Sequence, residues 1–267
     1  VTTETKQRRV RIVQDFDPQS PREWDNFGRM VCWHCCYTLG DEQPKESSDE
    51  WLASLASEAS PRLEELLGKW QNESWCWLSD LLDARSGKSP AFEEKLKIVA
   101  AHTDQLVAAV LKKHYVILPL YLYDHSGITM NTAGFSCPWD SGQVGWIYCS
   151  LDEARKNWLL SETADWDTPV EWKVPGREET ISLREATEKN LRCEVETYDQ
   201  YLTGDVYGFV VEEYDGCEAC GRGDWEHVDS CWGFFSSNVE ENGMFDHITD
   251  PELREMAKQA EIEYPRY

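Results

Sequence analysis

The chain has no apolar run of eighteen or more residues, which excludes a helix that crosses a bilayer, so no membrane partner is expected. Val1 to Arg11 is polar and basic and lacks the apolar centre of a signal peptide, which points to a cytoplasm. Cations are scarce: 26 Lys and Arg face 50 Asp and Glu, for a formal charge of −24. A surface so acidic repels nucleic acid and anionic lipid and attracts basic proteins or cations. Only Lys6, Arg8, Arg9 and Arg11 could meet a phosphate backbone, and four such contacts would be weak and salt-sensitive. There is no Walker loop, no GxGxxG after a strand and no GxSxG elbow, so nucleotide-binding and serine-hydrolase signatures are missing.

What is present is enough for a core. The 267 residues include thirteen Trp and an adequate aliphatic set, and disorder is not expected. Ten cysteines without an export signal favour free thiols or metal ligation over a disulfide framework. The charge is uneven. Asp205 to Tyr267 holds 16 acidic and 4 basic residues, a net of −12, which is half the imbalance in about a quarter of the chain. A halophilic surface would explain acidity alone, but lysine is not depleted, with twelve residues.

Periodicity supplies the elements. Val10 and Ile12 mark a first strand, and Met30 to His34 a short second one. Residues 41–92 read as an inserted acidic helical lobe, with a helix opening at Ser60-Pro61, an apolar stripe through Leu63, Leu66, Leu67 and Trp70, and a second helix from Trp75 to Ala84. Pro90 opens a long helix in which Phe92, Leu96, Val99, Thr103, Leu106 and Val110 line one face, and His114 ends it. Strands follow at Val116–Tyr123 and Val144–Cys149. Ser150 and Ser182 are placed to cap helices, and Gly204 to end the second. Residues 161–180 read as a polar connection, Val206–Glu212 and Cys231–Phe235 as a hairpin with a long tip, and Pro251–Ile262 as a final helix. The expected fold is α+β: a mainly antiparallel sheet of five or six strands, formed by residues 1–40 and 93–267, with long helices on one face and the lobe inserted.

Six words recur in a recognisable order: SPREWDN (Ser20 to Asn26), YTLGD (Tyr37 to Asp41), LYLYDHSGITMNT (Leu120 to Thr132), PWDSGQVGWIY (Pro138 to Tyr148), ETYDQYLTGDVYGF (Glu196 to Phe209) and DSCWGFF (Asp229 to Phe235). Together they span most of the chain. In them it resembles a family of uncharacterised bacteriophage and mobile-element proteins. That resemblance implies a phage or mobile-element context and brings no catalytic residues with it.

Three groups could carry chemistry. Cys217 and Cys220 have metal-ligand spacing, and with His227 and Cys231 they outline one structural zinc site at the hairpin tip. Cys32, His34, Cys35 and Cys36 form a second cluster, read as buried thiols, because a redox CxxC belongs at a helix start rather than in a strand and turn. Asp124 or His125 could face Asp140 across the central loop as a polar or metal-binding pocket, against the plainer reading of a hydrogen-bonded turn.

Two functions follow as expectations. The first is a phage-encoded acidic binding protein that engages a basic host protein (nucleic-acid-binding or defence) as a nucleic-acid mimic or counter-defence inhibitor. Its contacts would be Glu212, Glu213, Asp215 and Glu218, with Glu240, Glu241 and Asp246. The second is a small metal-dependent enzyme working at Asp124, His125 and Asp140.

Overall fold

Tyr115–Asp124 alternates buried and half-exposed positions along most of its length, as a strand with two different faces must. Val116, Leu118, Leu120 and Leu122 point one way, Tyr115 and Ile117 the other. This strand anchors the larger half of the molecule. The computed structural model describes residues 7–61, 63, 65, 69, 90–174, 177–216 and 223–264.

In chain order the elements are β1 (Arg8–Gln14), a 3-10 turn (Pro21–Glu23), β2 (Arg29–Cys32), α1 (Ser48–Ala59), α2 (Pro90–His114), β3 (Tyr115–Asp124), β4 (Ile128–Asn131), β5 (Ser141–Ser150) and α3 (Leu151–Asn157). Then come β6 (Pro169–Val174), β7 (Arg177–Ser182), α4 (Leu183–Thr203), β8 (Val206–Gly216), β9 (Gly223–Phe235), a 3-10 turn (Met244–His247), α5 (Pro251–Gln259) and β10 (Ile262–Glu263). The chain is α+β. Its strands form two four-stranded sheets, β10-β1-β8-β9 and β2-β5-β3-β4, and a separate β6–β7 hairpin, rather than one sheet of five or six. Pairing is antiparallel except between β1 and β10.

Helices cover both faces of the β2-β5-β3-β4 sheet, where one covered face was expected. On one side α4 lays Leu183, Ala186, Leu191, Val195 and Tyr198 against Met30, Leu118, Leu120 and Ile147, and Trp166 and Trp172 belong to the same core. On the other, α1 and α2 bring Trp51, Leu55, Val107 and Leu111 onto Val31 and Tyr148. The first helix of residues 41–92 is therefore a layer of this core. It begins at a capping box in which Ser47 accepts from the Glu50 amide and Glu50 accepts from the Ser47 amide. The proposed helix from Trp75 to Ala84 lies outside the described residues. Gly145 lets β2 and β5 close, since a Cβ there would stand 2.1 Å from the Val31 carbonyl oxygen.

The second sheet has its own core, with Val10, Ile12, Phe209, Val211 and Phe234 packed under Met244, Ile248, Leu253 and Ala257. Gly204, at φ 74°, ends α4 in the left-handed conformation and turns the chain into β8. The connection at 161–180 is not plain loop, because it holds β6 and the start of β7. No described helix is long and apolar enough to cross a membrane.

Candidate functional site

The recurring words meet at a buried charge junction. Arg22, its side chain only 5% exposed, gives Nε and Nη2 to the two carboxylate oxygens of Asp41 (2.8 and 2.6 Å), Nη1 to Glu194 (3.0 Å) and Nη2 again to the Gly28 carbonyl (2.8 Å). Burial works against the guanidinium charge, but Asp41 and then Glu194 outweigh it and hold its pKa above the ordinary value. The carboxylates are spoken for as well: Asp41 accepts from the Met30 amide, and Glu194 from the amides of Phe27 and Gly28. Nearby, Tyr198 accepts from the Gly40 amide, and Asp199 accepts from the Thr129 hydroxyl and the Met130 amide. SPREWDN, YTLGD and α4 are thus joined by saturated polar contacts. These residues fix the fold.

At one end of the same sheet, the segments after β2, after β3 and before β5 converge. The β3–β4 turn is His125-Ser126-Gly127, with Ser126 at φ 62°. The Asp124 amide donates to the Asp140 carbonyl at 2.8 Å, and His125 Nδ1 lies 3.6 Å from an Asp140 carboxylate oxygen. The structure therefore brings Asp124, His125 and Asp140 together. They lie open: the His125 and Asp140 side chains are 64% and 40% exposed. A recess of about 590 Å³ opens beside them, lined by Tyr121, Phe135, Pro138 and Ser141 among others, but none of the three lines it. Cys137 Sγ is 3.7 Å from Asp140, and Tyr37 donates to Asp124 at 3.4 Å.

Tyr37 leads to the thiol cluster, which divides. Cys32 is buried, and its thiol is pushed up to about 12 by burial and then by Asp41. Cys35 and Cys36 are exposed, against the reading of buried thiols, because β2 ends at Cys32 and the chain turns outward there. The hydrogen bond with Cys35, then Cys35's charge, raises the Cys36 thiol above its ordinary value. Among the described residues, His34, Cys35 and Cys36 form a group that could hold a metal ion.

The zinc set at the hairpin does not close as drawn. β8 and β9 stay paired out to Gly216–Gly223, so the tip is shorter than the sequence suggested. Cys231 sits opposite Phe209, seven ladder positions from Gly216, roughly 23 Å at about 3.3 Å per residue. Ligands of one tetrahedral ion stand about 2 Å from it, so Cys231 cannot share an ion with a residue next to Gly216. His227, opposite Glu212, lies 3.1 Å from the Ser230 hydroxyl. Cys217 and Cys220 lie outside the described residues, as does Glu218.

The extended hairpin rearranges the acidic candidates. Glu212 is not available for contacts: its side chain is 13% exposed and holds Arg9 at 2.6 Å and Arg11 at 3.5 Å. On that face Arg9 also lies over the Trp225 ring at 4.1 Å, and Tyr214 meets Trp225 edge-on. The opposite face, which continues Phe209 and Val211 outward, differs. There Glu213 stands directly opposite Glu226, and Asp215 directly opposite Asp224, with Asp229 two β8 positions further in, opposite Val211. Arg8, the β1 neighbour of Glu213, is turned to Asp250 and Glu252 at 3.0 and 3.4 Å. Glu240 and Glu241 belong to the turn tied to Ser236 at the other end of the ladder, and Asp246 to the 3-10 turn beside Phe234. The expected acidic contacts therefore form two patches. Asp224, Glu226 and Asp229 join the first, and they were legible only once both strands ran to the tip.

Comparison of the chain with known protein families, with curated proteins and with solved structures finds no match.

Proposed function

We propose that the chain is an acidic binding protein whose contact surface for a basic protein is the distal face of the β8–β9 hairpin. The observation that carries this reading is the ladder register, which sets Glu213 directly against Glu226. Like charges directly opposite on a sheet cost stability. A surface that keeps such a pair while its other face recruits Arg9 and Arg11 is suited to a cationic partner, whose Lys and Arg side chains relieve the repulsion on docking. Rows of carboxylates spaced along a strand can occupy the places of phosphates and speed encounter by steering.

The mobile-element resemblance makes a host nucleic-acid-binding or defence protein the fitting class of partner, with the chain acting as a nucleic-acid mimic or counter-defence inhibitor. A metal-dependent enzyme at Asp124, His125 and Asp140 is the weaker reading, since the three groups meet on an open surface without an enclosed pocket. A structural zinc ion at Cys217 and Cys220 would have to draw its remaining ligands from residues other than Cys231.

The test is affinity for a panel of purified basic nucleic-acid-binding and defence proteins of the host, measured at low and high salt. At least one should bind, more weakly as salt rises, and bind less to the E213Q/E226Q variant than to wild type. Absence of binding across the panel, or equal binding to the neutralised variant, would overturn the proposal.

A further inference from the structure

The exposed corner after β2 holds a feature that the acidic hairpin does not use. Cys35 and Cys36 are adjacent in sequence, and their sulfur atoms lie 3.2 Å apart. One ligand atom from each of His34, Cys35 and Cys36 falls within 4.8 Å of the other two. The imidazole is held in place: its ring stacks on Tyr37 with centroids 5.0 Å apart at 22°, and Nδ1 accepts the amides of Cys36 (3.2 Å) and Tyr37 (3.1 Å). Two sulfur donors and one nitrogen donor thus converge on three consecutive residues, the half-buried His34 and the exposed Cys35 and Cys36.

The donor set selects the ion. Paired thiols prefer soft, polarisable cations over Mg²⁺ or Ca²⁺, which take oxygen ligands. A closed structural zinc centre needs four protein ligands. Among the described residues the group stops at three. The imidazole can give Nδ1 to a cation only by releasing two amide hydrogen bonds, so the two sulfurs are the principal donors. A monovalent soft ion that accepts two or three ligands matches this arrangement.

We propose that Cys35 and Cys36, with His34 as third donor, form a binding site for a soft cation of low coordination number, of the class represented by Cu(I). Both cysteines deprotonate on binding, releasing their protons to solvent, and the site needs no change in the buried Cys32.

The test is an anaerobic Cu(I) titration of the full chain against a competing chromophoric chelator. Wild type and C35S/C36S are compared, each also in a C217S/C220S background to remove the other closely spaced cysteine pair. Wild type should bind one more Cu(I) per chain than C35S/C36S in both backgrounds, and H34Q should keep that equivalent with weaker affinity. Equal stoichiometry in wild type and C35S/C36S overturns the proposal, and so does zinc bound at this corner as tightly as Cu(I). A second measurement stands even if the double variant folds poorly. Cu(I) should protect Cys35 and Cys36 of the wild-type protein from alkylation, read by peptide mass mapping, and unchanged alkylation would count against the site.

Discussion

Two regions of this molecule handle negative charge in opposite ways. At the Arg22 junction, the carboxylates of Asp41 and Glu194 share a buried guanidinium and accept backbone amides as well. At the distal face of the β8–β9 hairpin, carboxylates stand opposite carboxylates, and the β1 arginine beside them is engaged elsewhere. The first arrangement pins segments far apart in sequence, and removing Arg22 leaves two partly buried carboxylates without their cation. In the second, Glu213 faces Glu226 directly across the ladder, a like-charge pairing that costs stability. A protein with a net charge of −24 could scatter its excess; this one concentrates part of it on one strand pair whose other face is neutralised by Arg9 and Arg11. The difference separates carboxylates locked into the fold by a guanidinium and backbone amides from carboxylates set against like charge across a ladder.

Substitutions should sharpen that contrast. The largest effect is expected at the junction, where Arg22→Ala strands two partly buried carboxylates and should cost about 3 kcal/mol in denaturant unfolding. A loss under about 1 kcal/mol would mean that water replaces the guanidinium, and that the junction does not fix the fold. Next is Gly145→Ala, whose added methyl meets the Val31 carbonyl and should cost about 2 kcal/mol by prising β2 from β5.

The two hairpin faces should then respond with opposite signs. Glu212→Gln, which loses the charge shared by Arg9 and Arg11, should destabilise by about 0.5 kcal/mol. The E213Q/E226Q double change should stabilise by about 0.5 kcal/mol, read from the same chemical melts. Destabilisation by both would mean that the distal carboxylates are structural after all.

The smallest effect concerns Asp250. The Glu252 amide, and then Arg8, hold its carboxyl below the ordinary aspartate value of roughly 3.9. Its contribution is therefore present above that value and fades as pH falls through the lower folded one. A carboxyl NMR titration should show the depressed midpoint, and Arg8→Gln should move it upward. An unmoved midpoint would assign the effect to the amide alone.

Much of the fold was legible because its signals are local. Ser150, Ser182 and Gly204 announce helix ends within four residues of themselves, and the stripe from Phe92 to Val110 lies on one helix. The β6–β7 hairpin could have been read from the alternation of Val170 and Trp172 before Pro175-Gly176, and α1 from the Ser47 and Glu50 spacing. The division into two sheets was not readable, since it depends on β1 pairing with β8 some two hundred residues later. The Arg22–Glu194 contact spans 172 residues, so no window on the chain shows it. For the sites, the meeting of His125 with Asp140 was one of two readings the loop allowed, beside a plain hydrogen-bonded turn. The acidic face was misdrawn because the zinc reading took the hairpin tip out of the ladder. Without register, Glu212 and Glu213 look alike; with it, one binds arginine and the other faces Glu226.

The central claim is that the distal hairpin face is kept acidic for a basic partner and not for the fold. One variant tests it most directly: E213Q/D224N/E226Q/D229N, compared with wild type in thermal melts and in salt-dependent binding to a basic host protein that wild type engages. The account predicts a melt at least as high as wild type, together with loss of salt-sensitive binding. A variant that melts lower, or that binds as wild type does, would contradict it.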